Sequence, residues 1–100
     1  MTINVNDVER GWLFKTPNNQ ERAVLGFDED NKVVYASRGG NVKNLFDHRE
    51  ASSIERFASS CSERLEQYSD DRIAEIIVQC NAQNLVLNAT PTNKNNDSVD

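Results

Sequence analysis

One histidine and two cysteines are the residues whose types could carry catalytic or metal chemistry in this chain of 100 residues. His48 has no second histidine to join it and no ligand-type neighbour at helical spacing, so the sequence predicts no metal site and a solvated connector around it. A nucleophilic cysteine needs a base and an electropositive setting. Cys61 is instead followed by Glu63 and Glu66, and nearby carboxylates raise a thiol pKa. We therefore expect Cys61 and Cys80 to pack in the core, whether or not they touch, and the chain to be a non-enzyme without cofactors.

The basic side chains concentrate around "SRGGNVK", residues 37–43. Two glycines and two cations are residue types found in phosphate-binding loops, but their spacing differs from that of the P-loop and of the dinucleotide-binding fingerprint. A turn that ends a strand is therefore expected here. If the chain binds nucleic acid, we expect the contacts to come from four basic residues, Arg22, Arg38, Lys43 and Arg49.

Aromatic residues of the first half could support the same alternative. Trp12, Phe14, Phe27 and Tyr35 could stack on the bases of a single strand if a sheet or small barrel exposed them. Large apolar residues are scarce in this chain, so we expect these rings to form the core between sheet and helix instead.

Acidic residues dominate the second half of the chain. The net charge is −5; residues 1–50 carry seven Lys/Arg and eight Asp/Glu, whereas residues 51–100 carry four and eight. Such a surface repels a phosphate backbone and suits a basic partner. The candidate contact residues are Glu63, Glu66, Asp70 and Asp71, with Glu63 and Glu66 on one face of a helix because they are three residues apart.

The elements that must position these residues begin with strands. "GWLFK", "ERAVLGF" and "KVVYASR" are short runs rich in aromatic and β-branched residues, and the acidic turn "DEDN" joins the last two into a hairpin. "VKNLF" adds a possible fourth strand. The prediction is a three- or four-stranded antiparallel sheet, or a partly open small barrel, over residues 11–46.

Helices follow the strands. Ser52 and Glu55 match a capping box, and the apolar period behind them predicts a helix over residues 52–68 with Phe57, Cys61 and Leu65 in the core. The acidic cap at residues 69–71 favours a second helix that ends near residue 80, with a short strand or extended segment after it, although "EIIVQ" is also typical of a strand, which leaves helix or strand open for residues 73–87. Because strands come first and helices later, the fold class is α+β.

The chain reads as a single domain, residues 1–87, with a polar disordered tail, residues 88–100. The longest apolar runs are "IIV" and "LVL", far short of the ~20 residues that span a bilayer. The first ten residues lack the features of a secretion signal, and two cysteines are too few for a disulfide framework. We expect a cytoplasmic protein that does not contact membranes.

The stretch "GWLFKTPNNQERAVLGFDEDNKVVYASRGG" followed by "FDHREASSIERFASS" resembles the layout of small accessory proteins encoded by phages and other mobile elements. Short, acidic, single-domain inhibitors of CRISPR surveillance complexes (anti-CRISPR proteins) are similar in size and charge. The resemblance covers residues 11–60 and transfers no individual functional residue. It implies an inhibitor whose acidic patch imitates DNA and occupies the cationic groove of its target.

These observations predict a binding protein that inhibits or modulates a basic protein or nucleoprotein complex through an acidic surface. The alternatives are a nucleic-acid-binding module that uses the four basic residues above, and an uncharacterised enzyme. The sequence leaves the oligomeric state open.

Overall fold

The structure is a computed structural model, and it describes residues 3–39, 46 and 48–90. The α+β class is confirmed, but the sheet has five strands instead of three or four, and it is open. The elements in chain order are a 3₁₀ turn at Val5–Asp7, β1 Trp12–Lys15, β2 Gln20–Phe27, β3 Val33–Gly39, β4 His48–Ser52, α1 Ile54–Ser60, β5 Glu63–Gln67 and α2 Asp70–Gln79.

The sheet has the strand order β4-β3-β2-β1-β5, with every neighbouring pair antiparallel. β1 to β4 form a meander, and α1 then carries the chain from β4 across the sheet to the free side of β1. There Ser62 N–H donates to the Lys15 carbonyl at 2.7 Å, and β5 begins. Both edges of the sheet are therefore formed by the latest strands, β4 and β5.

The hairpin of β2 and β3 confirms the prediction from the acidic turn. The Asp28 carboxylate accepts from the backbone N–H of Asp30 and of Lys32, at 2.8 and 2.9 Å, which fixes the loop. Asn31 adopts the left-handed conformation with φ of 64°, as asparagine does readily. The loop chemistry alone therefore explains this acidic segment.

The two helices cover opposite faces of the sheet, because alternate residues of a strand point to opposite sides. We call these the α1 face and the α2 face. The α2 face buries Leu13, Ala23, Leu25, Val34 and Ala36 against Phe46, Ile73 and Ile76. The α1 face buries Phe14, Val24, Phe27, Val33 and Tyr35 against Phe57, Ala58 and Cys61.

The predicted single helix over residues 52–68 is wrong. The N-cap is Ser53, whose hydroxyl accepts from Arg56 N–H at 3.2 Å, and α1 ends after two turns at Ser60. Phe57 and Cys61 are buried as expected, but Leu65 lies on β5 and is 36% exposed. Pairing with β1 satisfies backbone groups that would otherwise be left open at the edge of β1, and this long-range gain outweighs the local helical period.

α2 confirms the second predicted helix. The Ser69 side chain accepts from Arg72 N–H at 3.2 Å, and Asp70 and Asp71 occupy the first turn, where the helix dipole favours negative charge. Ile73 and Ile76 point into the core, and Cys80 caps the helix at its C-terminal end.

Two further expectations need correction or qualification. The predicted fourth strand at residues 42–46 lies outside the described residues except for Phe46, which is not in a strand; the observed β4 follows it and includes His48. Asn88, placed in the tail by the sequence, exchanges two backbone hydrogen bonds with Phe27, at 2.8 and 2.9 Å. Residues 91–100 of that tail lie outside the described residues.

Gly26 occupies a position in β2 that this fold restricts to glycine. Its φ is +154°, and a Cβ added there would lie 2.9 Å from both the Asn88 carbonyl oxygen and the Leu87 Cβ. Gly26→Ala is therefore expected to destabilise the protein by about 1 to 3 kcal/mol, measured by urea unfolding. Gly39→Ala is the matched control, because a Cβ there meets nothing within 4 Å. Equal unfolding midpoints for the two variants would contradict the close approach of residues 87–88 to β2.

Candidate functional site

The predicted acidic contact residues are all exposed, and we call Glu63, Glu66, Asp70 and Asp71 the acidic edge. The first two lie on β5, so the predicted helical spacing does not hold. A β-bulge replaces it: Glu63 pairs with Lys15 and Glu66 pairs with Leu13, which leaves Leu65 as an extra residue. Lys15 and Leu13 point to the same side of β1, so both glutamates return to the α2 face of the sheet.

The other half of the acidic edge is the first turn of α2. Tyr68 joins the two halves, and its backbone N–H donates to the Gly11 carbonyl at 2.7 Å, which anchors the start of α2 beside β1. Burial raises the pKa of the Tyr68 hydroxyl, the nearby Arg38 opposes that rise, and Glu66 adds to it. Glu66 is therefore close enough to act on the side chain between β5 and α2.

Arg72 is the cation of α2 that stands next to this surface. Its guanidinium donates to the Glu75 carboxylate at 3.2 Å and lies 5.5 Å from the centroid of the Tyr68 ring. Arg72 is thus occupied by a carboxylate outside the acidic edge.

Arg22 and Arg38, two of the basic candidates, lie on opposite faces of the sheet. Arg22 pairs with Ser37 across the hairpin, whereas Glu21 pairs with Arg38, one residue out of phase. Arg22 therefore stands on the α1 face and Arg38 on the α2 face. They do not form two rims of one surface.

The remaining basic candidates do not complete a basic surface around either arginine. Arg38 forms an ion pair with Glu21 at 2.9 Å, and both side chains are largely buried. Arg49 is exposed on β4, and its guanidinium donates to the Asn81 carbonyl at 2.6 Å. Lys43 lies outside the described residues.

The aromatic residues of the sheet form the core, as the sequence predicted. Phe14, Phe27 and Tyr35 are buried on the α1 face, and Trp12 packs partly buried beside them. Arg64 covers the Trp12 ring at 4.0 Å from its centroid. The three buried rings are therefore not available as a platform for stacking bases.

A second polar site, which sequence reasoning missed, surrounds Arg22 on the α1 face. Its Nε donates to the Gln20 Oε1 and its Nη1 to the Ser60 Oγ, both at 2.7 Å. The guanidinium also lies 4.9 Å from the centroid of the Tyr35 ring and 5.9 Å from that of Phe57. The sequence signal was weak, because Gln20 and Ser60 are forty residues apart and α1 alone brings them together.

Arg22 also acts on the titratable groups behind it. Burial raises the pKa of the Cys61 thiol, and the Arg22 guanidinium partly offsets this rise. Burial likewise raises the pKa of Tyr35, whose hydroxyl donates to the Glu50 carboxylate at 3.2 Å, and Arg22 again opposes the shift. These buried groups are therefore protonated at neutral pH, and the positive charge of Arg22 dominates the site.

The residues first considered for chemistry are dispersed. His48 is exposed on the edge strand β4, not in a connector. Cys61 and Cys80 are buried and unpaired on opposite faces of the sheet, so they cannot touch. Within the described part of the chain, no three side chains of His, Cys, Asp or Glu are grouped to hold a metal ion.

Comparisons with protein-family models, with curated proteins and with solved structures gave no match to this chain. A search of the described helices found none long and apolar enough to cross a membrane. The function must therefore be argued from the surfaces described above.

Proposed function

We propose that this protein is a non-enzymatic binding module that engages a basic protein or nucleoprotein complex through the acidic edge. The observation that carries the proposal is the β-bulge at Leu65, which turns Glu63 and Glu66 to the same face of the sheet next to the first turn of α2. Two exposed carboxylates on β5 and two in the first turn of α2 thereby lie along this edge of the sheet.

Electrostatics supports such a partner. Clustered carboxylates repel one another in the free protein, and a cationic groove that covers them relieves this repulsion while it steers association. β5 is also an edge strand, so its outer side is accessible to a partner. The resemblance to anti-CRISPR proteins favours a target that handles nucleic acid, whose groove would accept an acidic surface in place of DNA.

The alternative, a nucleic-acid-binding module, has less support from the geometry. Arg22 and Arg38 are on opposite faces, and Arg38 is held by Glu21. A duplex or single strand needs several phosphate contacts on one surface, because each contributes modestly. We therefore favour the acidic edge over the basic set.

The proposal keeps the cytoplasmic location predicted from the sequence. Two buried, unpaired cysteines fit a reducing compartment, where thiols stay reduced.

The test uses a short polyarginine peptide as a defined basic probe. In the wild type, the peptide is expected to shift the backbone amide signals of β5 and of the first turn of α2 in a nitrogen–proton correlation spectrum. Reversal of Glu63, Glu66, Asp70 and Asp71 to lysine is expected to weaken binding by roughly tenfold or more at low salt. The variant should still fold, since all four side chains are exposed, with a modest loss of stability because Asp70 and Asp71 occupy the first turn of α2.

A control variant separates the location of the charge from its total. Reversal of Asp7, Glu9, Asp30 and Glu55, four other exposed carboxylates, changes the net charge by the same amount. This control should weaken binding less than reversal of the acidic edge. Equal loss in both variants, or peptide-induced shifts confined to the β2–β3 loop, would show that the acidic edge is not the binding surface.

A further inference from the structure

The pocket beside Arg22 combines a fixed cation with a lining that contains no acid. Its volume is about 440 Å³. Of the described residues that line it, Thr16, Pro17, Asn18, Gln20, Arg22 and Ser60, none is acidic. In a chain with 16 Asp and Glu against 11 Lys and Arg, this is an unusual environment for an arginine.

Arg22 is held in place without being neutralised. Its Nε donates to the Gln20 Oε1, and its Nη1 donates one hydrogen bond to the Ser60 Oγ. The Tyr35 ring lies against one side of the guanidinium. Among the described residues, no carboxylate forms an ion pair with it. Of the five N–H donors of the guanidinium, two are engaged by Gln20 and Ser60 and another faces the Cys61 sulfur, so the remaining N–H groups are left to contact an anion.

The neighbouring side chains add further donors. The Thr16 Oγ1 accepts from Gln20 N–H at 3.1 Å, which leaves its own O–H free to donate. Gln20 accepts from Arg22 through Oε1, so its amide NH₂ is also left to donate, and Asn18 lines the pocket with a second amide. An anion with several acceptor oxygens could satisfy these groups together.

We propose that this pocket binds a phosphomonoester through Arg22, with Thr16, Asn18 and Gln20 as supporting donors. A phosphate group offers three terminal oxygens, one more than a carboxylate has, and can accept from the remaining guanidinium N–H groups and from the neighbouring side-chain donors together. The volume falls within the range of about 300 to 1,000 Å³ that is common for small-molecule sites, which leaves room for the group attached to the phosphate. This site lies on the α1 face and is independent of the acidic edge.

The experiment is a titration of the full chain with inorganic phosphate and, separately, with glycerol phosphate. The backbone amides of Gln20 and Ser60 are expected to shift with saturation, while that of the exposed Arg56 stays constant. A stronger response to glycerol phosphate would identify the ester as the ligand, and an equal response would identify phosphate itself as the recognised group; both support the site.

The matched variants are Arg22→Gln, which removes the charge, and Arg56→Gln, which removes an exposed charge from α1. Arg22→Gln is expected to weaken phosphate binding by roughly tenfold or more, the loss of a charge-assisted contact, while Arg56→Gln leaves it unchanged. Asn18→Ala, in an exposed loop, should weaken binding without affecting the fold. The proposal is overturned if the wild type gives no saturable shift at Gln20 and Ser60, or if Arg22→Gln and Arg56→Gln bind phosphate equally.

Discussion

Phe57→Ala is expected to lower the free energy of unfolding by about 3 to 5 kcal/mol, a large share of the roughly 5 to 15 kcal/mol typical of a domain. The Phe57 ring is fully buried. It makes edge contacts with the Phe14 ring at 5.3 Å and the Tyr35 ring at 4.9 Å between centroids. Urea unfolding followed by circular dichroism gives the measurement.

The size of this effect follows from the shortness of α1. A helix of seven residues is not stable alone in water, so its docking depends on the side chains that it buries. Phe57 and Ala58 are the buried residues of α1, and Phe57 is by far the larger. The loss of its ring leaves a cavity against β1 and β3 that the short helix cannot fill.

Arg56→Ala is the control, because Arg56 is the exposed neighbour on the same helix. It should change the free energy of unfolding by no more than about 0.5 kcal/mol. A loss below about 1 kcal/mol for Phe57→Ala would mean that α1 does not dock as the structure places it.

Local signals explain the elements that the sequence predicted well. The cap at Ser69 with Asp70 and Asp71 behind it, and the apolar stripe from Ile73 to Cys80, both lie within one short segment. The β2–β3 hairpin likewise carries its own turn chemistry in Asp28. Such elements need no information from the rest of the chain.

The local sequence could not predict that α1 and β5 form in place of one long helix. Residues 54–68 carry a helical apolar period, and Leu65 fits it. Their actual conformation depends on β1, about fifty residues earlier, whose free edge β5 completes. Strand pairing over such a distance leaves little trace in the sequence of either strand.

The candidate sites were harder still, because a one-residue shift in register moves a side chain to the other face. Arg22 lies near the start of β2 and Arg38 near the end of β3, so both are at the open end of the hairpin. Their placement on opposite faces depends on a bulge near Leu25 in β2. The common face of Glu63 and Glu66 depends in the same way on the bulge at Leu65. Gly26, a glycine inside a strand pattern, is a weak signal of the first bulge, whereas residue type does not signal the bulge at Leu65.

The Glu21–Arg38 ion pair supports the second large prediction. The Arg38 Nε lies 2.9 Å from the Glu21 Oε1, with side-chain exposures of 12% and 7%, and the Arg38 guanidinium lies 4.2 Å from the centroid of the buried Phe46 ring. Water is largely excluded from this pair, so solvent screens it weakly. The pair also ties neighbouring strands β2 and β3 together on the α2 face.

Glu21→Met is expected to lower the free energy of unfolding by about 3 to 5 kcal/mol, because it removes one carboxylate of a largely buried ion pair. Glu66→Met is the matched control: it removes the same type of charge from the adjoining α2 face, where the side chain is exposed. The control should cost less than about 1 kcal/mol. Chemical denaturation of both variants at neutral pH gives the comparison.

The double variant Glu21→Met with Arg38→Met distinguishes the cost of removing one partner of the ion pair from the value of the pair itself. Two apolar side chains of similar length can pack together beneath α2, so the double variant should be more stable than Glu21→Met alone. The recovery measures how much of the single-variant loss came from burying Arg38 without its carboxylate. A double variant that loses the sum of the two single effects would instead mean that Glu21 and Arg38 stabilise the sheet independently, through contacts other than their ion pair.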